Sequence, residues 1–337
     1  MTKKFPMKRK KKIIPDSNII KSIRAYNLLL YKLKNPILQI IPSNQIDKAK
    51  WDNCIANNSN GLIYATTAFL DAMAIHWEGC IINDYEAIFP LCIKQKFGIQ
   101  YLYTPPFIQQ LGFIGNNELV SEKVIAAIFE KVKYGSVNLN FSNTNFNTMQ
   151  QYKVHNNYVI DLNQNYQQIK ANYKKSIDYS LSKALKQNLR YTTDLTFETA
   201  VENYQKHNQQ VLQHVTLTDY KNLEKVLTLL QQEEKIIVRK VVNDTNETLS
   251  IAILLKDNKR FYNLINYTNN EGRQAEANYF LYDKLLEELA ENHMLFDFEG
   301  SDLPGVKSFY EKFGAVNQPY FYWHFNQLPF FLKWIKK

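Results

Sequence analysis

From residue 46 onward the apolar positions of this chain alternate between two periods, and the switches recur in one order. Spacings of three and four, which put apolar side chains on one helical face, predict helices over 46–57 and 66–77. Short runs with two-residue alternation predict strands at 79–82, 85–94 and 100–103, the first two joined by an Asn83-Asp84 turn. Pro105-Pro106 then forbids regular pairing. A helix at 119–132, a strand at 136–141, a helical stretch at 147–152 and a strand at 154–162 complete the first half. The second half gives helices at 166–186, 197–210 and 219–233, strands at 235–242, 249–256 and 260–267, and a helix at 274–291. A strand at 295–299, a helix at 304–313 and a strand at 318–325 follow. The letters barely match between halves, but the order of elements does. The expectation is a duplicated mixed α/β (α+β) unit: an arm at 1–36, a first domain at 37–163 and a second at 164–337. A chain of 337 residues has the length for two such cores.

One stretch concentrates chemistry, LFDFEGSDLPGVKSFYEKFGA at 295–315. Along a strand, Phe296 and Phe298 take one face and Asp297 and Glu299 the other. Gly300 allows a bend, Ser301 or Asp302 can cap the next helix, Pro304 suits its first turn, and Gly314 suits a left-handed stop. Two carboxylates thus arrive at the mouth of a turn.

Net charge is +9, but residues 1–36 hold eleven Lys and Arg against the single acid Asp16, and the rest hold 30 basic and 31 acidic residues. The body is therefore near neutral, and whole-chain charge is no argument for nucleic acid. Within the arm, 18–34 can form a basic amphipathic helix with Ile19, Ile23, Tyr26, Leu30 and Leu33 on one stripe. It is expected either to pack on the first domain or to lie on an anionic membrane surface. It lacks the apolar run and cleavage site of a signal peptide, and no segment reaches the roughly 20 apolar residues of a membrane span. Cys54, Cys80 and Cys92 show no CxxC spacing and the six histidines no HExxH, so reduced thiols in a cytoplasmic protein and no metal are expected.

The order of elements and the segment FDFEGSDLPGVKSFYEKFGA resemble the GNAT acyltransferase superfamily. The pairing of two such units resembles the FemAB-like aminoacyltransferases, with ANYKKSIDYSLSKALKQNL at 171–189 similar to the basic helix that opens their second unit. The resemblance covers about residues 40–325, and the chain looks like the compact members, since no long coiled-coil insertion separates Thr216 from Ile236. It implies two tandem GNAT-like domains and transfer of an acyl or aminoacyl group to an amine, on a cell-wall or lipid-linked precursor. The alternatives are a small-molecule N-acetyltransferase using acetyl coenzyme A and a catalytically silent ligand-binding duplicate.

The resemblance also implies a site. In the GNAT fold the strand equivalent to 261–267 splays from the one equivalent to 295–299, and the acyl donor enters the gap. Asp297 and Glu299 are then candidates to accept a proton or hold the acceptor amine, or else pair with a cation of a neighbouring strand. Tyr310 is a candidate donor to the leaving group, or a core tyrosine. Asn269, Gly272, Arg273 and Gln274 are candidates to meet a donor pyrophosphate. Glu276 and Asn278 stand where the coenzyme A loop has small residues, which leaves the donor as either acyl coenzyme A or aminoacyl-tRNA, with no tightly bound cofactor. Tyr103, Gln109 and Gln110 are candidates for a small-molecule or peptide acceptor, and Lys174 and Lys175 for phosphates of a nucleotide-linked precursor or of tRNA.

Overall fold

The computed structural model describes residues 36–144, 152–208 and 214–333, so the basic arm and most of the helical stretch expected at 147–152 lie outside it. From Leu38 on, the described chain packs as one unit around two mixed, mostly antiparallel sheets. The first half supplies β1 (Leu38–Pro42), α1 (Lys48–Asn57), α2 (Thr67–Met73), β2 (Trp77–Ile82), β3 (Ala87–Lys96), β4 (Ile99–Leu102), β5 (Ile114–Gly115), α3 (Glu122–Lys131), β6 (Tyr134–Leu139), β7 (Tyr152–His155) and β8 (Tyr158–Asp161). The second supplies α4 (Tyr166–Ala171), α5 (Ile177–Leu185), β9 (Arg190–Thr192), α6 (Phe197–Asn208), α7 (Leu217–Gln232), β10 (Ile236–Val242), β11 (Thr248–Lys256) and β12 (Arg260–Thr268). It continues with α8 (Asn270–Gln274), α9 (Ala277–Leu289), β13 (Leu295–Asp297), α10 (Pro304–Lys312), β14 (Val316–Asn317), β15 (Tyr320–Asn326) and α11 (Phe330–Lys333).

The first sheet runs β1-β2-β3-β4-β6-β15-β7, with β5 on β3, and the second β14-β8-β13-β12-β11-β10-β9. Each contains a three-strand meander, a helix, and then a strand parallel to the meander's last: β6 beside β4, β13 beside β12. This is the repeat that the element order gave. The expected boundary at 163/164 is crossed in both directions, because the halves exchange their closing strands. β8 from the first half pairs with β13, and β15 from the second pairs with β6, from Phe321 opposite Leu139 to Asn326 opposite Tyr134. Alternation inside β15 puts Phe321, Trp323 and Phe325 inward, where Trp323 and Phe325 meet Phe129 of α3. Alternation fixes which face is buried and leaves open which sheet receives it.

The chain crosses between sheets at Asn156-Asn157 and again after Asn317, and the crossings are tied together. The Asn157 N–H donates to the Asn317 side chain (3.2 Å), the Asn317 amide to the Asn156 side chain (2.8 Å), and the Gln318 N–H to the Asn157 carbonyl (2.7 Å). A side-chain amide satisfies backbone groups that a crossover removes from the ladder.

Two further departures are local. The helix expected at 166–186 is broken into α4 and α5, and the Lys174 N–H donates across the break to the Lys312 carbonyl (2.8 Å). The helix expected at 274–291 begins as α8 and restarts as α9 after Glu276, whose φ is 60°. The second core gathers Tyr158, Ile160, Leu281, Tyr282, Phe296, Phe298 and Phe313, and burial of each such phenylalanine stabilises the fold by about 1.5–3 kcal/mol. Cys54, Cys80 and Cys92 are free and buried. No helix of the described residues is long and apolar enough to cross a membrane.

Candidate functional site

β12 and β13 are neighbours over three residue pairs only, Arg260 to Tyr262 against Leu295 to Asp297. Beyond them β13 ends, while β12 runs on to Thr268. A bulge in the β11–β12 pairing, where Ile253 faces Ile265 and Leu254 faces Asn263, turns the strand at this point. The resulting gap is a cleft of about 360 Å³ lined by Asn263, Asn266, Asn278, Phe298, Glu299, Gly305, Val306, Phe309 and Tyr310. A larger cavity of about 900 Å³ shares the walls Asn266, Asn278 and Phe309 and extends along Tyr267–Arg273 to His207, Asn208, Glu276 and Tyr279. The His207 imidazole stacks on Tyr267, with ring centroids 4.3 Å apart.

Glu299 stands on the cleft wall with φ 61°, a left-handed conformation that is unusual for a residue with a side chain. The Tyr64 hydroxyl, from the turn before α2, donates to its carboxylate, so both halves contribute to the cleft. Burial pushes the Glu299 carboxyl well above the usual carboxylate range, and the charge of Asp297 adds to this against the opposing pull of Tyr64 and Arg260. Tyr310 shares the wall, its ring 4.5 Å from that of Phe298 between centroids. Burial raises its phenol too, with the nearby charges of Glu299 and Asp297 contributing. The buried amide oxygen of Asn263 has no hydrogen-bond partner among the described residues, which marks the cleft as a place where a ligand donor would be satisfied.

Asp297 is not on that wall. It is 1% exposed and paired at 2.8 Å with Arg260, itself 2% exposed, while the Asn157 amide and the Glu299 N–H each donate to it at 3.0 Å. Of the two readings open for it, pairing with a cation of the neighbouring strand is the one the geometry matches, because a carboxylate so occupied has no access to a substrate.

Asn269, Gly272 and Arg273 line the larger cavity, and Gln274 is not among its walls. Their polar groups are largely engaged. The Asn269 side chain accepts the Gly272 N–H (2.6 Å), and Arg273 donates to the Thr268 carbonyl (2.6 Å) and to the Asn270 side chain. A β-carbon at Gly272 would lie 2.4 Å from the Leu249 carbonyl oxygen, so the close approach of α8 to β11 needs glycine. Tyr103 is 9% exposed, its hydroxyl accepts the Ile75 N–H (3.1 Å), and burial pushes its phenol up to about 12. Gln110 donates to Gln109, and Gln109 to Asn157 (3.2 Å), so this pair joins the Asp297 network rather than an open groove. Lys174 is exposed and bonded to Glu311 (3.0 Å), Lys175 is exposed, and neither lines the cleft. Among the described residues no group of three His, Cys, Asp or Glu is placed to hold a metal.

Tyr64, Asn157, Arg260, Asn263 and Asn266 escape sequence reasoning, which marks Asn278 only as a departure from the coenzyme A loop. Tyr64 and Asn157 lie 235 and 140 positions from their partners Glu299 and Asp297, and no local pattern marks them.

The crystal structure of FemX matches with a TM-score of 0.62 at 12% identity, over 89% of this chain and all of that one. A conserved protein of unknown function from Bacteroides thetaiotaomicron matches at 0.54 and 10%, over 83% of this chain and 98% of that one. The L-PGS structure from Bacillus licheniformis matches at 0.50 and 11%, over 86% and 95%. The fold is GNAT-like, in the tandem FemAB-like arrangement. No protein-family model matches the sequence, and no curated protein matches it either. Within the GNAT-like fold the splayed pair of the second unit is β12 and β13, the pair that opens the cleft.

Proposed function

We propose that the protein transfers an aminoacyl or acyl group onto an amine, with the chemistry in the β12–β13 gap. The observation that carries this is Glu299: a carboxyl of raised proton affinity, fixed by Tyr64 on the wall of a cleft that opens into a second, larger cavity. A base poised nearer neutrality suits removal of a proton from an attacking amine. The amine nitrogen forms a bond to the donor carbonyl, its proton passes to Glu299, and the bond from that carbonyl to the leaving oxygen or sulfur breaks. The leaving atom takes up a proton, for which the Tyr310 hydroxyl on the cleft wall is our candidate donor.

The lining of the larger cavity argues against a pyrophosphate anchored there as in the coenzyme A loop, and we take aminoacyl-tRNA, whose reacting end need not place a phosphate in this cavity, as the donor. Glu271 and Glu276 line it, the Gly272 N–H is already spent on Asn269, and Arg273 is held by its own turn. Carboxylates beside a pyrophosphate are repulsive, and engaged donors offer it nothing in return. The acceptor we propose is an amine on a cell-wall or lipid-linked precursor, in keeping with FemX and L-PGS as neighbours in fold.

The test is transfer of a labelled amino acid from aminoacyl-tRNA to a peptidoglycan-precursor peptide, read by mass spectrometry. Glu299→Gln keeps an acceptor for Tyr64 and is expected to lower turnover by roughly 10²–10⁴-fold. Undiminished turnover in that variant removes the assigned base. Tight calorimetric binding of acetyl coenzyme A, with no use of aminoacyl-tRNA, overturns the donor.

A further inference from the structure

We propose that Asp297 is a positioning residue for Glu299: its buried carboxylate holds the Glu299 backbone, the Asn157 amide and the Arg260 guanidinium together and so turns the Glu299 side chain into the cleft. The inference rests on Glu299 being the proton acceptor proposed above.

The geometry is that of a clamp at the point where the halves exchange strands. Asp297 Oδ1 accepts the N–H of Glu299 two residues on (3.0 Å), a local bond of the kind that stabilises turns after Asp. That bond fixes the peptide immediately before the left-handed residue. The conformation of Glu299 costs roughly 1–3 kcal/mol and persists only when the surroundings over-determine it. The same oxygen accepts the Asn157 amide, and Oδ2 accepts Arg260. Asn157 is fully buried at the crossover, and its own side-chain oxygen accepts Gln109 from the loop after Pro105-Pro106. Arg260 in turn lies 4.8 Å from the Phe141 ring of the first half. One carboxylate therefore references the base to β12, to the crossover and to the first sheet. Gly300 belongs to the device, since a β-carbon there would meet the Asn156 carbonyl oxygen at 2.2 Å and Gln109 at 3.0 Å.

The titratable and charged groups around Glu299 are Asp297, Arg260, Tyr64, Tyr310 and, from β15, Tyr320. Of these only Asp297 carries negative charge, so a variant that removes it makes Glu299 easier to ionise. Protein labelled with ¹³C at glutamate carboxyl carbons, with Glu299→Gln assigning the resonance, reports the Glu299 midpoint without any substrate. In Asp297→Asn the midpoint is expected to move to lower pH. The acid limb of the rate profile should follow it, and kcat should fall roughly a hundredfold at unchanged KM, as misplacement of a reacting group does. Asn157→Ala keeps the ion pair, and it should lower kcat by a smaller factor and leave the midpoint in place.

An unmoved midpoint in Asp297→Asn overturns the proposal, as does wild-type kcat in that variant. If Asp297→Asn does not fold, Asn157→Ala decides: a lower kcat at constant KM supports the clamp, and an unchanged kcat ends it. Should no donor and acceptor turn over in the wild type, the proposed function fails, while the carboxyl titration still decides whether Asp297 sets the state of Glu299.

Discussion

The two sheets hold the same gap in different states. In the first, the parallel pair β4 and β6 touches at Leu102 and Gly135, and the space beyond is filled by the chain's own loop. Leu111 bridges Leu139, its N–H donating to the Asn138 carbonyl (2.7 Å) and its carbonyl accepting the Asn140 N–H (2.9 Å). Asn138 is held further by Thr104 and by the Gln109 carbonyl. In the second sheet no strand or loop of the described residues pairs into the equivalent space. That space is the cleft beside Glu299, and the stretch where β12 and β13 still pair, before the gap opens, is braced by the Arg260–Asp297 pair. One copy of the module fills its gap with backbone pairing, and the other leaves it as an open cleft among the described residues.

The largest effect should come from breaking the pair that braces the open gap. Arg260→Leu leaves the Asp297 charge buried without its partner, and a loss of about 3–5 kcal/mol in urea unfolding is expected. Replacing both residues by leucine should recover much of that loss, because the cost lies in the uncompensated charge. If the single variant is as stable as the wild type, the gap is braced by something else.

A second experiment makes the open gap resemble the plugged one. Gly305 lines the cleft in the first turn of α10, and a β-carbon there has no atom within 4 Å. Gly305→Trp should fill the cleft and lower kcat/KM by roughly tenfold or more. Because glycine is a poor helix residue, the melting temperature should hold or rise. Full activity in this variant would place the chemistry elsewhere.

How much of this difference was legible in the sequence follows from range. The meander, helix and following strand of each half are legible in local periodicity, though not that strand's parallel direction, and the 295–315 stretch gave the strand, bend and Pro304 helix. The exchange of β8 and β15 was not legible, since alternation is satisfied on either sheet. The division of labour between Asp297 and Glu299 was also hidden. Their alternation puts both on one face, but the strand ends at Asp297, and the left-handed Glu299 departs from the alternation. What separates a buried clamp from an accessible base is Arg260, 37 positions away.

A smaller effect concerns pH. The folded chain holds the Glu299 proton more tightly than the unfolded chain, whose carboxyl titrates near about 4.3. Below that pH both states are protonated and the site is neutral in its effect. As pH rises through the folded midpoint the burial of charge takes stability away. Glu299→Gln should therefore melt with the wild type near about pH 4 and increasingly above it toward neutrality. A constant difference across that range would mean that Glu299 titrates as if in water.

The smallest effect is expected at Lys174 and Lys175, the cations first suggested for phosphate contact. Lys174 meets Glu311 at the far end of α10 from Gly305, and both partners are solvent-exposed enough for screening to weaken the pair. The acids that line the larger cavity are not balanced by either lysine. Lys174→Ala and Lys175→Ala should accordingly leave the melting temperature, kcat and KM for a short aminoacylated tRNA mimic where they are. A rise in KM that grows as salt is lowered would show instead that the polyanionic donor reaches past the open gap to the basic start of the second half, and would enlarge the site beyond β12 and β13.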